Sequence, residues 1–306
     1  MARQEQIIEE ILKTIEDRID AFNSRMPKVQ QDAYAAILEL SGDLDTQNGR
    51  IKPTIKNVKL IAKIKAELNK VIFDDNYSKE LDKVVKTYDQ ITKLQNEYFT
   101  NAVGKFTVPG VLKEVQNLAI EGIVDSLGKE AIGVNVISPV RDILVQNVTT
   151  GGSKAEFIEQ VRDYIIGNDK VDGKLVKYTK QIVTDSLNQY SASYNQIITD
   201  DLGFEFYRYV GSNKDTTRPF CKALTAAKND CLPYIHKSQI PSIIEGDICG
   251  KQVPIYDKTG LPHGMIPGTN SANFYVNRGG YNCNHQLLGV PNALVPKAIR
   301  DQFKGA

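Results

Sequence analysis

The sequence predicts an α+β protein: a mainly α-helical N-terminal part, then a C-terminal α+β module on a small mixed sheet. Three observations carry this expectation. Apolar residues recur at helical spacing up to about residue 200. Phe204–Val210 then reads FEFYRYV, an aromatic and β-branched run with partial alternation, as in a strand. Every cysteine and histidine, with eight of the twelve prolines, follows residue 202. The composition therefore divides the chain into a helical region 1–105, a second helical region 106–202, and a Cys/His- and Pro/Gly-rich part 203–306.

In the first helix Ile8, Leu12, Ile15, Ile19 and Phe22 follow one another at steps of 4, 3, 4 and 3, a single apolar stripe. Pro27 ends it, because proline disfavours helical geometry in the residue before it. A second helix is expected over 28–40, stopped by Ser41-Gly42, and a third over 53–73 with Pro53 in its first turn. A fourth covers 76–102, with Tyr77, Leu81, Val84, Tyr88, Ile91 and Leu94 in a stripe, and a fifth covers 109–127. After a loop, Ser138-Pro139 reads as a cap and first helical residue for 140–148. Ser153 and Glu156 match a capping box opening a helix to Ile166. A turn-rich break, 167–173, precedes a long helix over 176–201. Beyond the strand, the spacing predicts a short helix to Lys228, glycine- and proline-broken chain over 229–280, and a strand over 286–290.

With 306 residues there is ample chain for one to three domains and a substantial core. Charged residues make up 25 %, which excludes a mucin-like stalk or a disordered acidic tail. The net charge of +1 excludes a uniformly basic nucleic-acid coat, but not a local basic patch. The first twenty residues are studded with acids and lack the apolar run of a secretory leader. The longest weakly polar run, 131–140, is far short of the ~20 residues of a membrane span. A soluble protein made in a cytoplasm, without a membrane segment, is expected.

Between Arg50 and Lys70 seven basic residues accompany one acid, Glu67. Lys52, Lys56, Lys59 and Lys63 are spaced 4, 3 and 4, which places them on one helix face. Such a face contacts a phosphate backbone or an acidic protein surface, or is simply solvated; both readings stay open. No aromatics interleave with the lysines, so sequence-specific reading of nucleic acid is not expected.

In the last third, Asp215, Arg218 and Cys221 stand in a D-x-x-R-P-x-C motif directly after the strand and its turn. Some sixty residues later Gly279, Gly280, Asn282, Cys283 and His285 form G-G-x-N-C-x-H, followed by a short apolar strand and Pro291. In this order and spacing, and with a long polar-studded helix (Thr184, Asn188, Asn195) before the strand, the chain resembles the phage Mu F-like minor head proteins, or phage head morphogenesis proteins. The resemblance covers about 110–292 and is sharpest over 204–291. The chain departs from the family pattern at Asn284, where a basic residue is usual, and in having no Trp at the strand. The resemblance implies a non-enzymatic minor capsid protein of a tailed phage. It would join the procapsid near the portal, contact portal, capsid or scaffold proteins, and influence DNA packaging or ejection. It would reside in the virion head and, during assembly, in the host cytoplasm. Within that reading the basic helix is the candidate contact for the portal or for packaged DNA.

Cys283 and His285, two residues apart, can point to one side of an extended segment and grip one metal ion, zinc being the natural occupant, with Cys221 as third ligand. A fourth would come from Cys231, Cys249, His236 or His263. No C-x-x-C pair is present, so two other readings stand beside it. One is a metal-free cluster of buried thiols with a hydrogen-bonded histidine. The other is a disulfide such as Cys221 with Cys283, which a reducing cytoplasm disfavours. Asp215 and Arg218 suit a catalytic acid with an anion clamp, but better a helix cap and an arginine locking the turn. His236 and His263 read as surface or structural residues. Two functions of other classes are also consistent with the sequence: a metal-dependent nuclease or peptidase built on the Cys/His ligands, and a non-viral intracellular helical adaptor. Phosphate-binding glycine loops and H-E-x-x-H are both absent, which weakens the enzymatic reading.

Overall fold

The stripe begun at Ile8 builds helix α1 (Ala2–Asn23), which buries Ile8, Ile11, Ile15, Ile19 and Phe22. The structure, a computed structural model, describes residues 2–168, 171–256, 260–262 and 265–304. In chain order there follow α2 (Met26–Ser41), β1 (Thr46–Gln47), β2 (Arg50–Ile51), α3 (Ile55–Ile72), α4 (Asp75–Val103) and α5 (Val111–Leu127). Next are α6 (Lys129–Ile132), α7 (Ser138–Thr150), α8 (Lys154–Ile165), β3 (Gly167–Asn168), β4 (Val171–Asp172) and α9 (Lys174–Asp201). The last part contains β5 (Phe206–Val210), α10 (Pro219–Ala227), β6 (Ile235–His236), α11 (Ile240–Ile244), β7 (Asp247–Ile248) and β8 (Lys251–Gln252). It closes with β9 (Ile255–Tyr256), β10 (Leu261–Pro262), α12 (Phe274–Asn277), β11 (Gln286–Val290) and α13 (Lys297–Arg300). The class is α+β, with a mainly helical N-terminal part and small antiparallel sheets. Among the described residues no helix is long and apolar enough to cross a membrane.

The chain forms two compact units, neither of them one continuous segment. One holds 1–17, 87–120 and 184–306; the other holds 18–86 and 121–183. Both compositional boundaries, after 105 and after 202, thus fall inside the first unit.

The 18–86/121–183 unit is helical, with α2, α3, α7 and α8 packed on one another. Pro27 lies in the first turn of α2, where its missing amide costs nothing, so the residue that closes one stripe opens the next helix. Thr54 caps α3 by accepting from the Asn57 amide at 3.3 Å. Pro53 therefore stands before the helix, not in its first turn, and Lys52 is off the helix altogether. Asn57 is fully buried and spends its side chain on the preceding loop: it accepts from the Asp45 amide at 2.9 Å and donates to the Lys52 carbonyl at 2.7 Å. The loop expected before Ser138 is not formed. A π-helical turn, Gly133–Ile137, joins α6 to α7 without a break, so Ser138 makes no cap. Pro139 has no amide to offer the turn before it, and the Asn135 carbonyl accepts instead from the Tyr164 hydroxyl at 3.1 Å. At α8, Ser153 caps through the Glu156 amide.

The other unit is organised by a three-stranded sheet in the order β11–β5–β6. It is antiparallel throughout, where a mixed sheet was expected. The motifs explain this: β5 runs into the first motif and β11 runs out of the second, and Gln286 pairs with Val210 at that shared end. Strands that enter and leave one knot must run in opposite senses. Tyr207 and Tyr209 face a core with Phe220, Leu224, Ile240, Phe274 and Leu287. Phe206, on the opposite face, packs with Val290 and Val295.

Among the described residues no strand pairs with the far side of β11. Side chains serve it instead. Asn195 of α9 accepts from the Gly289 amide at 2.9 Å, and the Tyr98 hydroxyl of α4 donates to the Gly289 carbonyl at 2.8 Å. Ser191 donates to Gln286 at 2.8 Å and receives from Gln95 at 3.0 Å. The polar residues of α9 are thus a buried hydrogen-bonding rail for a strand edge. Gly289 lets the helix approach, since a Cβ there would overlap the Thr199 side chain.

Candidate functional site

The two motifs, distant in sequence, meet at the end of β5. Pro219 starts α10, where its missing amide hydrogen costs nothing, and this sets Cys221 in the first turn, facing inward. Arg218, immediately before, donates to the Gly279 carbonyl at 2.8 Å and the Tyr281 carbonyl at 2.5 Å, tying the first motif to the second. In the second motif the chain passes through positive φ at Gly280 (91°) and at Asn282 (57°), whose amide donates to Asp185 at 2.5 Å. This curl returns Cys283 and His285 toward α10.

Cys221, Cys283 and His285 are all buried, at 2 %, 6 % and 3 % exposure. Their ligand atoms lie within 4.8 Å of one another, the one such group of histidine, cysteine or carboxylate side chains among the described residues. Cys221 Sγ stands 3.8 Å from Cys283 Sγ, and Cys283 Sγ stands 4.0 Å from His285 Nδ1. The His285 ring stacks on Tyr209 at 5.2 Å with an interplanar angle of 9°. Two glycines clear the space. A Cβ on Gly279 would come within 2.8 Å of Cys283 Sγ and nearer still to Cys221 Sγ, and one on Gly211 would meet the His285 ring at 2.7 Å.

Arg278 is the residue that motif reasoning misses. It is 1 % exposed, its backbone sits at φ 24°, and its guanidinium donates to the carbonyls of Val276 (2.7 Å) and His285. Weaker bonds at 3.4 Å reach Asn188 and Cys283. The signals available were the R-G-G run and the need of a curled segment for a multi-donor anchor. Its charge favours the Cys283 thiolate. With Cys221 donating to Cys283, the Cys221 thiol is pushed up; that same bond, His285 and Arg278 hold Cys283 well below the ordinary thiol range. Burial pushes the Tyr209 hydroxyl well above its usual value.

The chain matches no family model, no curated protein and no solved structure.

The remaining candidates are placed as follows. Asp215 is exposed and does not cap α10; the N-cap is Arg218, and the turn before it is held by Thr217 accepting from the Lys214 amide at 2.7 Å. An acid at Asp215 is too far from the start of the helix, because Arg218 and Pro219 already occupy the cap and first positions. Cys231 and Cys249 are joined in a disulfide, with Cα atoms 6.2 Å apart, which removes both as metal ligands and leaves Cys221 and Cys283 as the free pair. The pairing follows from position: Cys249 lies in the β7–β8 turn and Cys231 in the loop after α10. His236 is buried and structural: Nδ1 lies 2.8 Å from Ser238 Oγ, and the ring stacks on Phe303 at 4.4 Å. His263 lies outside the described residues. Of the lysines, Lys56, Lys59 and Lys63 are exposed on α3 beside Ile55 and Val58, themselves 77 % and 57 % exposed. Lys52 does not share that face, and Lys56 is 3.5 Å from Asp45. A groove of about 480 Å³ runs along α1 and the end of β5, crossed by ion pairs of Arg208 with Glu5 at 3.2 Å and Lys214 with Glu16.

Proposed function

We propose that this chain is a minor head protein of a tailed bacteriophage, acting by binding near the portal during procapsid assembly and bearing on DNA packaging or ejection. The observation that supports this most is the convergence of the two motifs that carry the Mu F-like resemblance. Arg218 bonds the backbone of the second motif, Cys221 meets Cys283 and His285, and the flanking strands pair along all five residues. The bonds that join the motifs run to backbone carbonyls, which suits a structural fastening of one segment to another. The three Cys/His side chains are enclosed, so a substrate has no approach to them. This favours a binding protein over a nuclease or peptidase that works through this cluster.

On this reading the partner surface lies on α3. Lys56, Lys59 and Lys63 with Ile55 and Val58 combine positive charge and exposed apolar area, a combination suited to an acidic protein surface with non-specific DNA contact as the lesser role. The test is co-purification of the full chain with the portal protein encoded in the same gene cluster, and gel-shift with phage DNA. Binding of the wild type and its loss on changing Lys56, Lys59 and Lys63 together to glutamate is the expected result. A wild type that binds no portal refutes the assignment; a triple variant that binds portal and DNA unchanged refutes the role of α3.

A further inference from the structure

We propose that Cys221, Cys283 and His285 hold a structural zinc ion that fastens the two motifs together. The inference is independent of any portal partner and rests on four observations. The donor set, two thiolates and an imidazole, is the one zinc favours over the oxygen-seeking magnesium and calcium. The spacing fits: with Zn–S bonds of about 2.3 Å, a tetrahedral ion sets two sulfurs about 3.8 Å apart, and Cys221 and Cys283 stand at 3.8 Å. A disulfide needs about 2.05 Å, so the two sulfurs are not placed for one. Third, Gly279 and Gly211 leave out the Cβ atoms that would fill the space against both sulfurs and the imidazole.

The fourth observation is unmet polarity. His285 Nε2 and the Tyr209 hydroxyl are buried without hydrogen-bond partners, while His285 Nδ1 is a long 4.0 Å from Cys283 Sγ. Buried polar groups are nearly always satisfied, and a buried imidazole nitrogen left without a partner beside two thiols is accounted for by a bound cation. Cys231 and Cys249 are consumed by their disulfide, so the protein supplies three ligands and the fourth position falls to an oxygen donor. Tyr209, whose ring stacks on the imidazole, brings a buried hydroxyl to this region. Both cysteines bind as thiolates and any thiol proton leaves to solvent. Enclosed in this way, the ion cross-links α10 to the segment before β11 and does no hydrolysis.

The experiment uses the full chain, purified anaerobically with the Cys231–Cys249 bridge intact, stripped with a chelator and titrated with Co²⁺. The expected result is saturation at about one equivalent, with a thiolate-to-cobalt charge-transfer band in the near ultraviolet and intense visible bands of a four-coordinate ion, bleached by Zn²⁺. Cys221→Ser and Cys283→Ser each lose the charge-transfer band. Because those variants risk misfolding, His285→Cys is the decisive companion: it keeps one Co²⁺ site and strengthens the sulfur band. Wild-type protein with two titratable thiols that takes up no Co²⁺ overturns the inference. So does cobalt binding without the sulfur band, or a band that survives in the double Cys→Ser variant.

Discussion

Replacing Arg218 by alanine removes two hydrogen bonds from a cation to the Gly279 and Tyr281 carbonyls, 2.8 and 2.5 Å long. The first is partly buried and counts near the lower end of the range for charged donors, about 1.5 kcal/mol; the second is exposed and contributes about 0.5 kcal/mol. The sum, about 2 kcal/mol, is about thirtyfold in an opening equilibrium. Because Arg218 holds the second motif in place, the opening it restrains is that of β11, whose first residue follows His285 directly. Native-state hydrogen exchange reads this locally: the β11 amides in Arg218→Ala should exchange about thirtyfold faster, with the α2, α3, α7 and α8 amides unchanged. Arg218→Lys should lie between, since an ammonium cannot reproduce the planar fork that spans two carbonyls. Folded Arg218→Ala whose β11 amides exchange within about twofold of wild type would show that the knot does not depend on this clamp.

Other perturbations test other parts of the same region. Burial lowers the pKa of His236, and Glu205 only partly opposes this. Below its ordinary value of about 6.5 the unfolded chain then binds more protons than the folded one, so this contribution to stability is complete above about pH 6.5 and declines as the pH falls. Urea midpoints at about pH 7.5 and pH 5.5 should differ less in His236→Asn, which keeps a cap acceptor, than in wild type; an equal difference refutes the assignment. The Cys231–Cys249 bridge closes an 18-residue separation, for which loop-closure entropy gives about 3 kcal/mol. Cys231→Ser with Cys249→Ser should lose about that much in urea unfolding and become insensitive to reductant. Four free thiols in the native wild type would show that the bridge is not made.

The helices were legible because their evidence is local. The Ile8–Phe22 stripe and the Tyr77–Leu94 stripe fix which face is buried, whatever lies beyond it. Chain ends of elements were less so: Lys52 has the spacing of a helical residue, yet Thr54 is the better cap and starts α3 after it. The π turn at Gly133–Ile137 escaped because a Ser-Pro pair signals a helix start equally well when the helix has already begun. In the site, residue types announced the Cys221–Cys283–His285 cluster. The partner of each cysteine was beyond reach, because disulfide pairing depends on which loops meet. Arg278 and the Asn195 rail were hidden for the same reason: their partners are backbone atoms about 90 residues away or folded back on themselves, and backbone carries no sequence signal.

The interleaving of the two units has a consequence for synthesis. Residues 1–17 belong with 184–306, and Glu5 and Glu16 pair with Arg208 and Lys214 there. At about 5–20 residues per second, the ribosome needs roughly 10–40 s to deliver the last of those partners after the first helix has emerged. Meanwhile the part of the α1 stripe within residues 1–17, Ile8, Ile11 and Ile15, waits for its unit to be completed. A chain that completes itself only when its C-terminal third appears is exposed to capture by chaperones or by its own copies, and a fragment cut anywhere in the middle leaves one unit without a wall.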